Sequence, residues 1–417
     1  MARGGVTSES AARVEAVWRI ESARIVATLT RATGDLGLAE DLAQEALLEA
    51  LEQWPVAGVP RNPGAWLTAV AKRRAIDAWR RRERLDERHR AIAHGLADAA
   101  EHEWTPIDDD VLRLVFTACH PVLPLEARIA LTLRVVAGLS TQEIARLLLV
   151  PVPTVQARIT RAKKALRAAR VPFETPEAGE QRRRLGAVLG VVHLLFTEGY
   201  AATAGESWLR TDLAQEALRL GRVVAALLPR EPEVHGLVAL MELQSSRFAA
   251  RVGPGGEAVL LADQDRSRWD RGQIARGRAA LARADALAGE RGPYALQAAI
   301  AEQHAIAPDV ARTDWTAIVQ RYDELSRIAP NPVVTLNRAV AVAMAVGPAE
   351  GLAEVDALAT GGALHGSHLI PSVRGELLAR LGRDAEAEAE LRSAADAVQN
   401  ARQRAVLLAK AAALAAG

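Results

Sequence analysis

The chain has 417 residues, with 52 Lys and Arg against 51 Asp and Glu and a formal net charge of +1. At roughly 100–200 residues per domain this is two to four domains, and a hydrophobic content of 50% excludes a disordered or acidic-tail protein. Aromatics at 4%, beside abundant Ala, Leu and Arg, favour helices over strands. The lone cysteine, Cys119, rules out a disulfide-stapled scaffold or a thiolate metal cage and allows a reducing compartment. The first residues lack the apolar core of a signal peptide, and no window reaches about 18 unbroken apolar residues. The expectation is a soluble, cytoplasmic, all-α protein.

Residues 1–12 read as a frayed, small-residue tail. From Val14 the apolar positions Val17, Trp18, Ile25, Val26 and Leu29 suit an amphipathic helix that Thr33, Gly34 and Asp35 punctuate. A second helix is expected from about Leu38 to Trp54, burying Leu42, Ala46, Leu47, Ala50, Leu51 and Trp54. Its acids Asp41, Glu45, Glu49 and Glu52, spaced four, four and three apart, fall on one face. Pro55, Gly58, Pro60 and Pro63 are expected to force a turn. A third helix then begins near Gly64 and carries Lys72, Arg73, Arg74, Arg80 and Arg81. Together these form one helical bundle over 13–90, followed by a polar linker over 91–109.

Net neutrality hides contrast. Residues 35–53 hold six acids and no Lys or Arg, residues 61–90 hold ten bases against four acids, and residues 151–170 hold six bases and no acid. Such blocks point to one surface for a basic partner and two for a polyanion.

A second helical unit covers 110–171. One helix stops at Pro121 and the next ends at Gly138, a helix-stop glycine. Ser140 and Glu143 then match a capping box, and the helix they start can run only to about Val150, because Pro151 and Pro153 break it. A fresh helix starts near Pro153. Val155, Ile159, Ala162 and Leu166, spaced four, three and four, face inward and leave Thr154, Gln156, Arg158, Arg161, Lys163 and Lys164 pointing elsewhere. A short helix, a tight turn and a second helix with outward cations is a helix-turn-helix, whose second helix fits the major groove.

After a hinge over 172–184, residues 185–417 are expected to be helical to the end. Segments around Gly347 and Gly382, about 35 residues apart, align as two copies of a tetratricopeptide-like (TPR-like) helical hairpin.

Candidates for catalysis are thin. Cys119 and His120 are adjacent, which fits a buried thiol and a capping His better than a nucleophile–base pair. His193 and Glu198 are five apart, a poor metal pair. The stretch from Gly253 to Gly256 lacks the Lys and Ser/Thr of a phosphate loop, and the run from Asp263 to Asp270 reads as a solvated turn. No catalytic group, metal or cofactor is expected.

The stretch from Leu123 to Arg167, with its capping box, prolines and basic helix, resembles region 4 of bacterial sigma factors of the extracytoplasmic-function (ECF) type. The stretch GDLGLAEDLAQEALLEALEQWP, followed by NPGAWLTAVAKRRAIDAWRRR, resembles their region 2. Residues 185–417, including LLFTEGYAAT, resemble the TPR-like extension of one subgroup. The resemblance implies an alternative sigma factor that binds core RNA polymerase and initiates transcription at promoter DNA. It implies that Asp41, Gln44, Glu45 and Glu49 dock on the β′ clamp helices, while region 4 also meets the β flap. Lys72, Arg73, Arg74, Arg80 and Arg81 then engage the −10 element, with Trp66 and Trp79 as the local aromatics. Trp66 suits core packing beside Leu67 and Val70.

In region 4 the resemblance implies that Thr154, Gln156 and Arg158 are the base contacts at the −35 element, and that Arg161, Lys163 and Lys164 hold phosphates. Leu149 replaces the usual turn glycine, so its φ is negative or strained. The extension would be a built-in regulator that responds to a regulatory protein or ligand. Two other readings compete with this one: a one-component helix-turn-helix regulator with a ligand-binding helical body, and a TPR-type scaffold. The acidic stripe favours the first reading, which pictures two cationic heads on a loose tether.

Overall fold

The computed structural model describes residues 3–82, 108–200, 209–253, 257–362 and 364–415. The linker over 91–109 falls almost wholly outside them, as do the side chains of Trp79, Arg80 and Arg81 and most of the loop from Gly253 to Gly256. Every regular element of the described residues is helical, apart from one isolated bridge between Val252 and Ala258. Among them no helix is long and apolar enough to cross a membrane. The chain divides into two compact units, Met1–Val191 and Val192–Gly417.

In the first unit, α1 (Arg3–Thr33) leads into α2 (Leu36–Ala57) and α3 (Pro63–Arg82). The expected frayed tail is instead the start of α1, since no proline interrupts the run after Arg3. Asp35 starts α2 by accepting from Gly37 N at 2.8 Å and Leu38 N at 3.2 Å. Pro55 lies inside α2 rather than ending it. It falls in the last turn, and the helix stops only where Gly58 N donates to Trp54 O at 3.0 Å. Ile25, Leu29, Ala39, Ala43, Ala46, Ala50, Leu67 and Ala71 are fully buried between these helices. Each buried Leu or Ile contributes about 1.5–3 kcal/mol relative to exposure.

The second half of this unit comprises α4 (Asp108–Ala118), α5 (Leu125–Val135), α6 (Thr141–Leu148) and α7 (Val152–Ala168). It packs against the first half, with α1 lying on α4 and α5. Trp18 Nε1 donates to Gly138 O at 3.1 Å in a buried contact. Gly138 has φ +72, and a Cβ there would come within 2.3 Å of Ser22 Oγ, so only glycine lets the two halves approach at this point. Cys119 is buried, 3.3 Å from Thr132 Oγ1. Burial pushes its thiol up to about 11. His120 Nδ1 accepts from Val122 N at 3.1 Å, a turn-forming role.

The second unit begins within α8 (Ala178–Tyr200) and continues through α9 (Thr211–Leu227) and α10 (Pro232–Ser245). Short 3₁₀ turns at Phe248–Ala250, Leu261–Asp263 and Arg266–Arg268 precede α11 (Arg271–Leu287). The expected solvated turn over 263–270 proves partly internal, with Arg266 6% and Trp269 3% exposed. Helical hairpins follow, built from α12 (Pro293–Ile306), α13 (Trp315–Ile328), α14 (Pro332–Ala345), α15 (Pro348–Thr360), α16 (Leu369–Arg380), α17 (Asp384–Ala397) and α18 (Ala401–Ala415).

The repeat seen around Gly347 and Gly382 corresponds to the hairpins α14–α15 and α16–α17. Gly382 takes φ +72 at the tip of the second hairpin. A repeated brace marks each copy. Arg338 bridges Asp323 at 2.6 Å and Glu354 at 2.5 Å, and Arg374 does the same between Asp356 at 2.7 Å and Glu390.

Candidate nucleic-acid interface

The capping box forecast for α6 is present. Glu143 N donates to Ser140 Oγ at 3.2 Å, and Ser140 N donates to the Glu143 carboxylate at 2.8 Å. Arg19 of α1 pairs with the same carboxylate. Burial raises the Glu143 pKa, but the Ser140 bonds and Arg19 outweigh it and hold the carboxyl below its usual range. Leu149 closes α6 in the left-handed region, at φ 53 and ψ 41, with 62% of its surface exposed. The strained alternative for this turn is therefore the one adopted. Pro151 precedes α7, whose buried face is the forecast Val155, Ile159, Ala162 and Leu166.

That packing fixes the outer face of α7. Gln156, Arg161 and Lys164 are exposed, while Thr154 and Arg158 are half-buried. Thr154, Arg158 and Arg161 follow one row at spacings of four and three. Lys163 turns away from this row toward α2, where its ammonium donates to Glu40 and, at 3.1 Å, to Asp41. Arg167 pairs with Asp35, the α2 cap.

Glu40, which the acidic stripe does not include, is the centre of this seam. Its side chain is 6% exposed and binds Arg134 of α5 at 2.7 Å as well as Lys163. Burial pushes the Glu40 carboxyl up, but Arg134 and Lys163 overcome that and hold it below the usual carboxylate range. The signal that could have found it was local: a lone acid on the apolar face of α2, one residue before the exposed stripe.

Along that stripe Asp41, Glu45 and Glu52 are exposed and Glu49 is half-buried. Leu48, on the same face, is 60% exposed. Leu51, expected inside, is 38% exposed because α3 covers the helix at Ala50 and Trp54 instead. Gln44 lines a cavity of about 360 Å³ with Glu15, Trp18, Leu47, Arg134 and Arg146.

On α3, Arg73 is exposed and Lys72 is half-buried. Burial, and then the nearby Arg31 charge, push the Lys72 ammonium down. Arg74 does not face outward alone; it pairs with Glu49 at 2.9 Å and Glu45 at 3.7 Å. Trp66 packs edge-on against Trp54 with ring centroids 5.4 Å apart, a core role.

The sequence matches the family described as Sigma-70 region 2 over residues 19–85 and Sigma-70 region 4 over residues 113–166. Residues 184–285 match a family of unknown function, DUF6596. An uncharacterized protein of Rhizobium meliloti is 44% identical over 91% of this chain and 90% of its own. The ECF RNA polymerase sigma factor SigL of Mycobacterium tuberculosis is 31% identical over 40% of this chain and 94% of its own. The RNA polymerase sigma-H factor of Pseudomonas aeruginosa is 31% identical over 36% of this chain and 82% of its own. No solved structure matches. Both sigma-70 regions occur in order, and nearly the full length of SigL is matched, so the chain belongs to the ECF family of alternative RNA polymerase sigma factors, which initiate transcription with core RNA polymerase at promoter DNA.

Proposed function

We propose that the first unit divides the work of initiation between two faces. On α2, Asp41, Glu45, Glu49 and Gln44 dock on the β′ clamp helices, with exposed Leu48 and Leu51 adding apolar contact between the acids. On α3, Lys72 and Arg73 with Arg80 and Arg81 hold the −10 element. Arg74 is engaged by Glu49 and Glu45, and it reaches DNA only when the polymerase takes over those carboxylates. On α7, Thr154, Gln156 and Arg158 read bases of the −35 element while Arg161, Lys163 and Lys164 hold phosphates, and region 4 also meets the β flap.

The working segments are 13–90 and 110–171, with 185–417 as a helical domain that modulates them in answer to a protein or ligand. No chemistry by the chain itself is needed, because promoter opening draws on polymerase and DNA binding.

The observation that carries this reading is the row of outward residues on α7, set by a buried seam that leaves no other orientation. Lys163 and Arg167 are held by Glu40, Asp41 and Asp35, so DNA binding through α7 exchanges these pairs for phosphates. The test is run-off transcription with the full chain and core polymerase on promoter DNA selected by that holoenzyme. Specific transcripts are expected; no polymerase binding and no transcript from any selected DNA would overturn the reading.

A further inference from the structure

In the second unit α14 and α16 open the two repeated hairpins, and α18 follows the second. Each carries a valine at an equal interval along the chain: Val340, Val373 and Val406. The three line one cavity of about 520 Å³, together with Leu407 of α18 and with Leu260, which leads into the short turn at Leu261–Asp263. Small-molecule sites are concave, mostly apolar and about 300–1,000 Å³ in volume.

Val340, Val373, Val406 and Leu260 are all only half-buried. The helices that carry them bury other residues in their packing, Leu336 and Ala339 in α14 and Leu377 and Leu378 in α16. The valines therefore form an apolar floor that the fold leaves open, and an apolar guest that covers them gains the hydrophobic contribution they have not yet made.

The polar side chains in the wall narrow the guest further. Ser372 Oγ donates to His368 O at 2.7 Å, and the Gln403 amide is 3.0 Å from the His368 ring, so both are engaged within the wall. Lys410 of α18 pairs with Glu376 of α16, and those two charges offset each other. Asp263, on the 3₁₀ turn, is exposed to water. Arg380, at the end of α16, has no carboxylate in ion-pair distance among the described residues. Its guanidinium donates to Met344 Sδ at 2.7 Å, a weak acceptor that carries no charge.

Arg380 is thus the lining cation with a charge left to pair, and its planar fork matches a carboxylate through two parallel hydrogen bonds. A phosphate monoester fits less well. It carries roughly two charges, and one guanidinium would leave the second unpaired in a cavity that also holds Glu376 and Asp263.

We propose that this cavity binds a small molecule with an apolar body and a single carboxylate, the body lying on Val340, Val373 and Val406 and the carboxylate on Arg380. It rests on the reading of the second unit as a domain that answers to a ligand. Binding by the chain alone is measured without polymerase or DNA, so loss of the ligand site and loss of the sigma-factor reading are separate results.

The test is calorimetric titration of the full chain with sodium octanoate and, separately, with 1-octanol, which keeps the apolar body and lacks the charge. Saturable binding of octanoate is expected, with octanol at least tenfold weaker. Arg380→Met, at an exposed position, should weaken octanoate at least tenfold and remove its advantage over octanol, while Arg327→Met, an exposed arginine outside the cavity, should change nothing. Val406→Trp fills the floor and should abolish binding of both, with circular dichroism and melting reporting that the helices remain. Asp263→Asn removes an acid and should leave octanoate binding equal or tighter. No saturable binding of octanoate, as expected of a groove for a protein segment, overturns the proposal. So does equal binding of octanol and octanoate, equal loss in Arg380→Met and Arg327→Met, or weaker binding in Asp263→Asn.

Discussion

Replacing Glu40 with Gln tests whether charge holds α2 against α5 and α7. The Glu40 side chain is 6% exposed, and those of its partners Arg134 and Lys163 are 15% and 19% exposed. Glutamine keeps the volume and removes the charge, leaving two cations opposite a neutral amide. Breaking a buried ion pair from one side costs about 3–5 kcal/mol. Arg134 keeps its bond to Leu139 O at 3.1 Å and Lys163 keeps Asp41, also at 3.1 Å. The lower end, about 3 kcal/mol, is therefore expected.

The pH dependence has a definite sign. Burial alone would raise the Glu40 pKa, yet Arg134 and Lys163 bring it below its usual 4.5. A carboxyl whose folded value is depressed stabilises fully above the unfolded value and loses that contribution as pH falls through the folded one. Hydrogen exchange at the amides of α2 and α5 reads this locally. At pH 7 the variant should exchange about 100-fold faster, at about 1.4 kcal/mol per factor of ten. Denaturant unfolding of both chains from pH 7 downward should show the difference shrinking below pH 4.5. Equal exchange at pH 7, or a difference that grows with acid, would refute the electrostatic account of this seam.

Three further outcomes are expected. Replacing Arg161 with Ala should weaken binding of the holoenzyme to −35 DNA at all sequences, and should reduce the slope of log K against log salt by about 0.9; an unchanged slope in a filter-binding titration would take Arg161 off the phosphates. Leu149→Gly should raise stability by about 1 kcal/mol in urea unfolding, since the left-handed turn costs leucine but not glycine and the lost side chain is 62% exposed; destabilisation would contradict this. Cys119, with its thiol pushed up to about 11 by burial, should resist maleimide at pH 8 in the folded chain and react once it is unfolded; fast labelling of the native chain would show that the core around it opens.

Much of the architecture was legible because its signals are local. The Ser140–Glu143 capping box and the inward residues of α7 depend on neighbours within a turn or two, so spacing alone located them. The Glu40 seam was not legible in the same way. Its partners Arg134 and Lys163 lie far along the chain, and an acid on an apolar face becomes meaningful only when a second helix brings cations to it. The pairing of Arg74 with Glu49 and Glu45 was hidden for a related reason: charge content marks a basic segment, but which base a nearby acid captures is set by how α3 packs on α2. Leu51 shows the limit of periodicity, which finds an apolar stripe without showing how wide a strip the neighbouring helix covers. Arg266 and Trp269 sit in a stretch without helical period, where burial has no signature in the sequence.

During initiation the acidic face of α2 is proposed to meet polymerase while the outer row of α7 meets DNA. Photocrosslinking tests it most directly, with a crosslinking amino acid placed at Glu45 or at Gln156 of the full chain assembled with core polymerase and promoter. Glu45 should join the β′ subunit and Gln156 the −35 DNA; crosslinks exchanged between the two positions, or absent from both in a transcribing complex, would contradict it.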